Sequence, residues 1–123
     1  MNALFDTNIL IDYLNGVEQA RAELEKYERG FISAITWAEV MVGASDETEA
    51  ETRAFLRRFE VVAADESVME LAVKLRRTQK LRLPNALIWA SAQSRHLLLV
   101  TRNTKDFPRD APGVRIPYQV NHL

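Results

Sequence analysis

Apolar residues in this chain fall into short unbroken runs separated by longer stretches of helical spacing. Ala3-Leu4-Phe5 and Leu97 to Thr101 read as brief, fully buried strands, Phe31-Ile32-Ser33 and Val61-Val62-Ala63 as two further short strands, and Arg115 to Tyr118 as a shorter last one. Between them the spacing predicts helices over Asn8 to Leu14, Val17 to Tyr27, Ile35 to Gly43 and Glu47 to Phe59, with Ala50, Ala54, Phe55 and Phe59 of the last facing inward. Asp6 or Thr7 caps the first of these, and Asn15-Gly16 stops it. A further helix, capped by Asp65 or Ser67, runs through Leu71, Val73 and Leu75. Pro84 reads as a break in the chain, after which Asn85 opens an apolar helix from Ala86 to Arg95. Helices alternating with doubly buried strands imply crossover units on a parallel sheet. The expected fold is a single α/β domain over residues 1–123, with a mostly parallel sheet of four to five short strands flanked by helices.

Sheets of this kind collect their chemistry at the strand carboxyl ends, near the point where the strand order reverses. Asp6 stands there, as the first residue past a strand. Asp106 follows Leu97 to Val100 within TRNTKDF, Glu39 sits alone among apolar neighbours in ITWAEVMVGA, and Asn85 starts the helix after LRLP. Each has a plainer reading: Asp6 and Asn85 as helix caps, Asp106 as turn chemistry, Glu39 on a solvated helix face. Their joint placement at strand ends and helix starts is what makes them a candidate site.

Composition narrows the chemistry. The 123 residues include no cysteine, which excludes disulfides and thiolate zinc sites. That fits a reducing compartment, and a cytoplasmic location is expected. Asp6 interrupts the N-terminal apolar stretch, so no signal peptide is expected, and no apolar run is long enough for a membrane helix. Net charge is −1, so any contact with nucleic acid must be local. The best local candidate is KLRRTQKLR, whose five basic residues are Lys74, Arg76, Arg77, Lys80 and Arg82. Leu71, Leu75 and Thr78 can supply that helix's buried side, leaving Arg76 and Arg77 for phosphates. Arg102 and Lys105 flank Asp106 and are placed to steer phosphate more directly.

Four stretches make the chain recognisable: LFDTNILIDYL, SAITWAEVMVGA, LPNALIWASAQSRHLLLVT and TRNTKDF. From Leu4 to about Tyr118 the sequence resembles the PIN-domain nucleases, and within them the VapC-type toxins of type II toxin–antitoxin pairs. The resemblance implies a ribonuclease using Mg²⁺ or Mn²⁺, with tRNA the favoured substrate class. It implies that Asp6, Glu39 and Asp106 hold the metal. Thr101 and Asn103 would help to hold it or its water, and Thr7 and Asn8 would support them from behind. It further implies a homodimer and a DNA-binding antitoxin whose tail lies in a groove near the helices bearing Trp37, Met41, Phe55 and Phe59, four residues whose plainer and favoured reading is core packing. The pattern departs at one place. Asn85 stands in LPNA where such proteins normally carry an Asp. It is either a native variant, with the other three acids sufficient, or an engineered silencing of a toxin.

The residues suit that chemistry independently. Carboxylates crowded in one cleft repel each other, and a hard divalent cation with a preference for oxygen resolves the conflict. An amide at position 85 can offer an oxygen but no charge, so weaker metal binding or slower cleavage is expected. His96 sits at a helix end and His122 near the C-terminus, and both are expected to be non-catalytic. One rival is a catalytically impaired domain that binds RNA or antitoxin without cutting. A lower-ranked rival is a receiver-like phospho-acceptor using Asp65, Thr101 and Lys105, although only one acid follows the first strand. A haloacid-dehalogenase-like phosphatase would want an acid at Asn8.

Overall fold

The computed structural model describes residues 2–120, so His122 lies outside the described residues. Five strands, β1 (Ala3–Phe5), β2 (Gly30–Ser33), β3 (Glu60–Val62), β4 (Leu98–Val100) and β5 (Val114–Arg115), form one sheet in the order β3-β2-β1-β4-β5. Every pairing is parallel. The helices are α1 (Thr7–Leu14), α2 (Glu18–Glu25), α3 (Ala34–Val42), α4 (Glu49–Leu56), α5 (Glu66–Gln79) and α6 (Leu83–Ser94). Among the described residues, no helix is long and apolar enough to cross a membrane.

Strand alternation divides the core into two layers. Leu4, Phe31, Val62 and Leu99 face one way, into a cluster with Val68, Ala72 and Leu75 of α5 and Ile88 and Trp89 of α6. Ala3, Phe5, Ile32 and Val100 face the other way, against Ile9 and Leu10 of α1, Val40 of α3 and Phe55 and Leu56 of α4. Gly30 lets the rings of Phe59 and Phe5 approach the backbone, since a Cβ there would come within 2.8 Å of Phe59.

The predicted elements are all present, with shifted ends. Pro84 does not break the chain: it lies in the first turn of α6, where a missing N–H costs nothing. Asn85 is therefore inside the helix, and Arg82 takes the cap position. In α4 the buried face is Thr52, Phe55 and Leu56, while Ala50 and Ala54 are exposed. On α5, Leu75 is buried but Thr78 is exposed. The final strand is earlier and shorter than Arg115 to Tyr118.

The chain steps β1, β2, β3 in one direction and then returns to β4 and β5 on the other side of β1. The switch point is thus between β1 and β4. A receiver-type sheet has the order 2-1-3-4-5 and is excluded by this topology.

Candidate active site

Asp6 leaves the carboxyl end of β1 with extended backbone and caps α1, its Oδ1 accepting from Thr7 N at 2.7 Å. Only 3% of the residue is exposed. Its Oδ2 accepts from Thr101 Oγ1 at 2.7 Å and Asn8 Nδ2 at 3.1 Å, so the end of β4 and the start of α1 both aim donors at it. One Asp6 oxygen therefore serves the helix cap, and the other takes the donors from Thr101 and Asn8.

Glu39 reaches the same place from α3. Thr7 Oγ1 donates to Glu39 Oε1 at 2.7 Å, and the Thr7 and Thr36 hydroxyls lie 2.9 Å apart. Glu39 is exposed, at the mouth rather than the floor. Beyond β4, Thr101 Oγ1 accepts from Asn103 N at 3.0 Å. Asn103 Oδ1 accepts from the backbone of Lys105 and Asp106, closing a tight turn, and its Nδ2 donates to Asp106 Oδ2 at 3.0 Å. Asn85 Nδ2 donates to the same oxygen at 2.8 Å, and Arg82 lies 3.5 Å from it. One hydrogen-bonded chain therefore runs Glu39, Thr7, Asp6, Thr101, Asn103, Asp106, Asn85 across the switch point.

The two ends differ electrostatically. Burial pushes the Asp6 carboxyl above its usual range, and the neighbouring Glu39 charge pushes the same way, against the bonds from Thr101, Thr7 and Asn8. The Asn103 amide holds Asp106 below the usual range, helped by the charges of Arg82 and Lys105.

A model of the PIN domain matches residues 3–111. The chain belongs to the PIN-domain family. Among PIN domains it is of the VapC type, as its four motifs imply. A toxin–antitoxin complex from Klebsiella pneumoniae contains a chain 48% identical, with a TM-score of 0.92, covering 96% of this chain and 99% of that one. DNA-bound VapBC from Salmonella typhimurium matches at 27% identity and a TM-score of 0.76, covering 94% and 96%. VapBC2 from Rickettsia felis, bound to a promoter DNA fragment, matches at 25% and 0.77, again covering 94% and 96%. No curated protein matches the chain.

The donors of this PIN domain fit a hard cation. The groups that meet at the site are carboxylate, amide and hydroxyl oxygens, with no sulfur or imidazole among them, and Asp6 and Glu39 form a carboxylate pair that positive charge would relieve. Among the described residues no three His, Cys, Asp or Glu side chains stand close enough to make a ready-formed metal cluster. At position 85 the side chain is an amide, and it donates a hydrogen to Asp106 where a carboxylate could only accept.

The flanking basic residues separate in the fold. Lys105, Arg76 and Arg77 are exposed and remain available to phosphate. Arg102 is committed elsewhere: its guanidinium takes Asp12 in two hydrogen bonds, at 2.5 and 2.9 Å. His96 is exposed in a left-handed turn after α6, away from the network. Two contributors were not legible as site residues. Arg82 gave only one of five charges in a basic run, and Asp12 lacked any signal beyond its place one helical turn after Asn8.

Proposed function

We propose that this PIN domain is a metal-dependent endoribonuclease and the toxin half of a toxin–antitoxin pair, with tRNA as the substrate class. The observation that carries the reading is the continuous network joining Asp6, Glu39 and Asp106 across the β1–β4 switch point. Asp6, Glu39 and Asp106 would hold Mg²⁺ or Mn²⁺, with the Asn85 amide oxygen and Asn103 beside them. A bound cation of this kind supplies Lewis-acid activation of water and charge compensation at the phosphate.

The protein's own groups do the rest. Thr7, Asn8 and Thr101 fix the Asp6 carboxylate by hydrogen bonds, so little reorganisation is left for the reaction. Thr7 orients Glu39 by the same means. Lys105, Arg76 and Arg77 offer sequence-neutral contacts to the RNA backbone. An antitoxin segment fits the groove of about 440 Å³ between α1, α3 and α4, whose apolar lining includes Ile11, Leu14 and Val40. The complexes formed by similar chains support that partner. A second copy of the chain completes the expected assembly, in the cytoplasm.

Asn85 favours a second reading of the same site. Its hydrogen bond to Asp106 ties back one of the three acids, which suits a domain that binds RNA or antitoxin with weakened cleavage. Total RNA incubated with the chain and with Asn85→Asp, in Mn²⁺ and in EDTA, separates the readings. The expected result is cleavage abolished by EDTA and faster in Asn85→Asp by on the order of tenfold. Equal cleavage by both forms across a Mn²⁺ titration removes Asn85 from the metal. No cleavage by either form leaves the binding reading.

A further inference from the structure

Asp12 is a buried carboxylate that the proposed reaction does not use. It is 5% exposed and sits on α1, four residues after Asn8, so the two side chains leave the same face of the helix. Both hold one residue of the β4 loop. Asn8 Oδ1 accepts from the backbone N–H of Arg102 at 3.3 Å. Asp12 accepts from the Arg102 guanidinium through Oδ2 at 2.5 Å and Oδ1 at 2.9 Å. Tyr118, past β5, donates its hydroxyl to Asp12 Oδ2 at 2.8 Å and completes the clasp.

Arg102 lies between two residues with different duties. On one side Thr101 donates to Asp6, and on the other Asn103 donates to Asp106. Rotation of the loop about Arg102 would carry Thr101 and Asn103 in opposite directions and change the distance between the two acids. A forked guanidinium on a carboxylate resists that rotation, because two parallel bonds fix orientation as well as distance. The pair is also mostly withdrawn from water, with side-chain exposures of 26% for Arg102 and 7% for Asp12, so it is screened far less than a surface pair.

We infer that Asp12, Arg102 and Tyr118 are positioning residues that set the spacing of Asp6 and Asp106 for the divalent cation. The inference rests on the metal-dependent reading of the site. It also gives the Arg of TRNTKDF a role distinct from phosphate binding.

Calorimetric titration of Mn²⁺ into the purified chain, into Arg102→Lys and into Tyr118→Phe, each paired with a thermal melt in EDTA, tests it. Arg102→Lys keeps the charge and loses the fork, and should weaken Mn²⁺ binding about tenfold. Tyr118→Phe keeps the ring and the ion pair, and should weaken it about twofold while still folding. A merely structural clasp would lower the melting temperature of both variants and leave Mn²⁺ affinity unchanged, and that result overturns the inference. If Arg102→Lys fails to fold, Tyr118→Phe decides alone: unchanged affinity in it overturns the inference. Wild-type protein that binds no Mn²⁺ overturns the metal reading and this inference together; wild-type binding with unaltered variants overturns this inference only.

Discussion

Asp6 and Asp106 are the same kind of side chain, close in the same network, and the fold treats them oppositely. Asp6 is buried at the end of β1 beside a second carboxylate, and its proton is held more tightly than in the unfolded chain. Asp106 sits on a half-open loop among amides and cations, and its proton is held less tightly. The contrast separates a carboxylate that lacks a positive partner from one already provided with donors. On the proposed metal-dependent reading, a cation entering the site would gain most from the Asp6–Glu39 side, while on the Asp106 side it would have to compete with Asn85, Asn103 and Arg82.

The largest break of that contrast is Asp6→Asn. Asn retains the capping oxygen for Thr7 and removes the buried charge, while its Nδ2 gives up the bond that Oδ2 accepts from Asn8, which offsets part of the gain. Cleavage and Mn²⁺ affinity should fall at least about 100-fold, because a ligand matters more than the outer partners whose loss costs roughly 10–100-fold. Stability without metal should move the other way. Since the fold raises the Asp6 pKa above 3.8, the stability this group contributes is fully present below 3.8 and lost as pH rises through the folded value. Melts in EDTA at pH 7 should therefore show Asp6→Asn more stable than wild type, by roughly 4 °C. For Asp106 the sign reverses: its contribution is present above 3.8 and lost as pH falls through its lowered folded value. Asp106→Asn should show no stabilisation at pH 7, and a gain equal to that of Asp6→Asn would erase the distinction.

Glu39→Gln sharpens the comparison with a smaller effect. The Thr7 hydroxyl keeps an acceptor, while the charge that adds to the effect of burial in raising Asp6 is gone. Metal affinity should fall on the order of tenfold and the Asp6 carboxyl should titrate lower, readable by carboxyl-carbon NMR. An unmoved Asp6 resonance would show that the two acids are not coupled.

The smallest effect is expected at the periphery. Reversing Arg76 and Arg77 to Glu should flatten the salt dependence of RNA binding by about one to two in slope and leave metal affinity alone. An unchanged slope removes this patch from the RNA path.

Much of the site was legible because the sheet makes it so. β1 and β4, three largely buried residues each, leave no ambiguity about where Asp6 and Thr101 emerge. Asp6, Asn85 and Asp106 were singled out from strand ends and helix starts and Glu39 as a lone acid among apolar neighbours, and the fold links all four in one network. What escaped was pairing between distant segments. Arg102 beside Asp106 reads as a phosphate contact, yet its partner lies 90 residues away on α1. Local spacing carries no information on that choice. Pro84 misled for a different reason, since the same ring that breaks a helix interior is welcome in a first turn.

The central claim, that Asp6, Glu39 and Asp106 together bind one divalent cation, is tested most directly by anomalous diffraction at the manganese edge from Mn²⁺-soaked crystals. A single peak within coordination distance of carboxylate oxygens from Asp6 and Glu39, with Asp106 on its far side, is the expected result. A peak elsewhere on the molecule, or none at millimolar Mn²⁺, would contradict it.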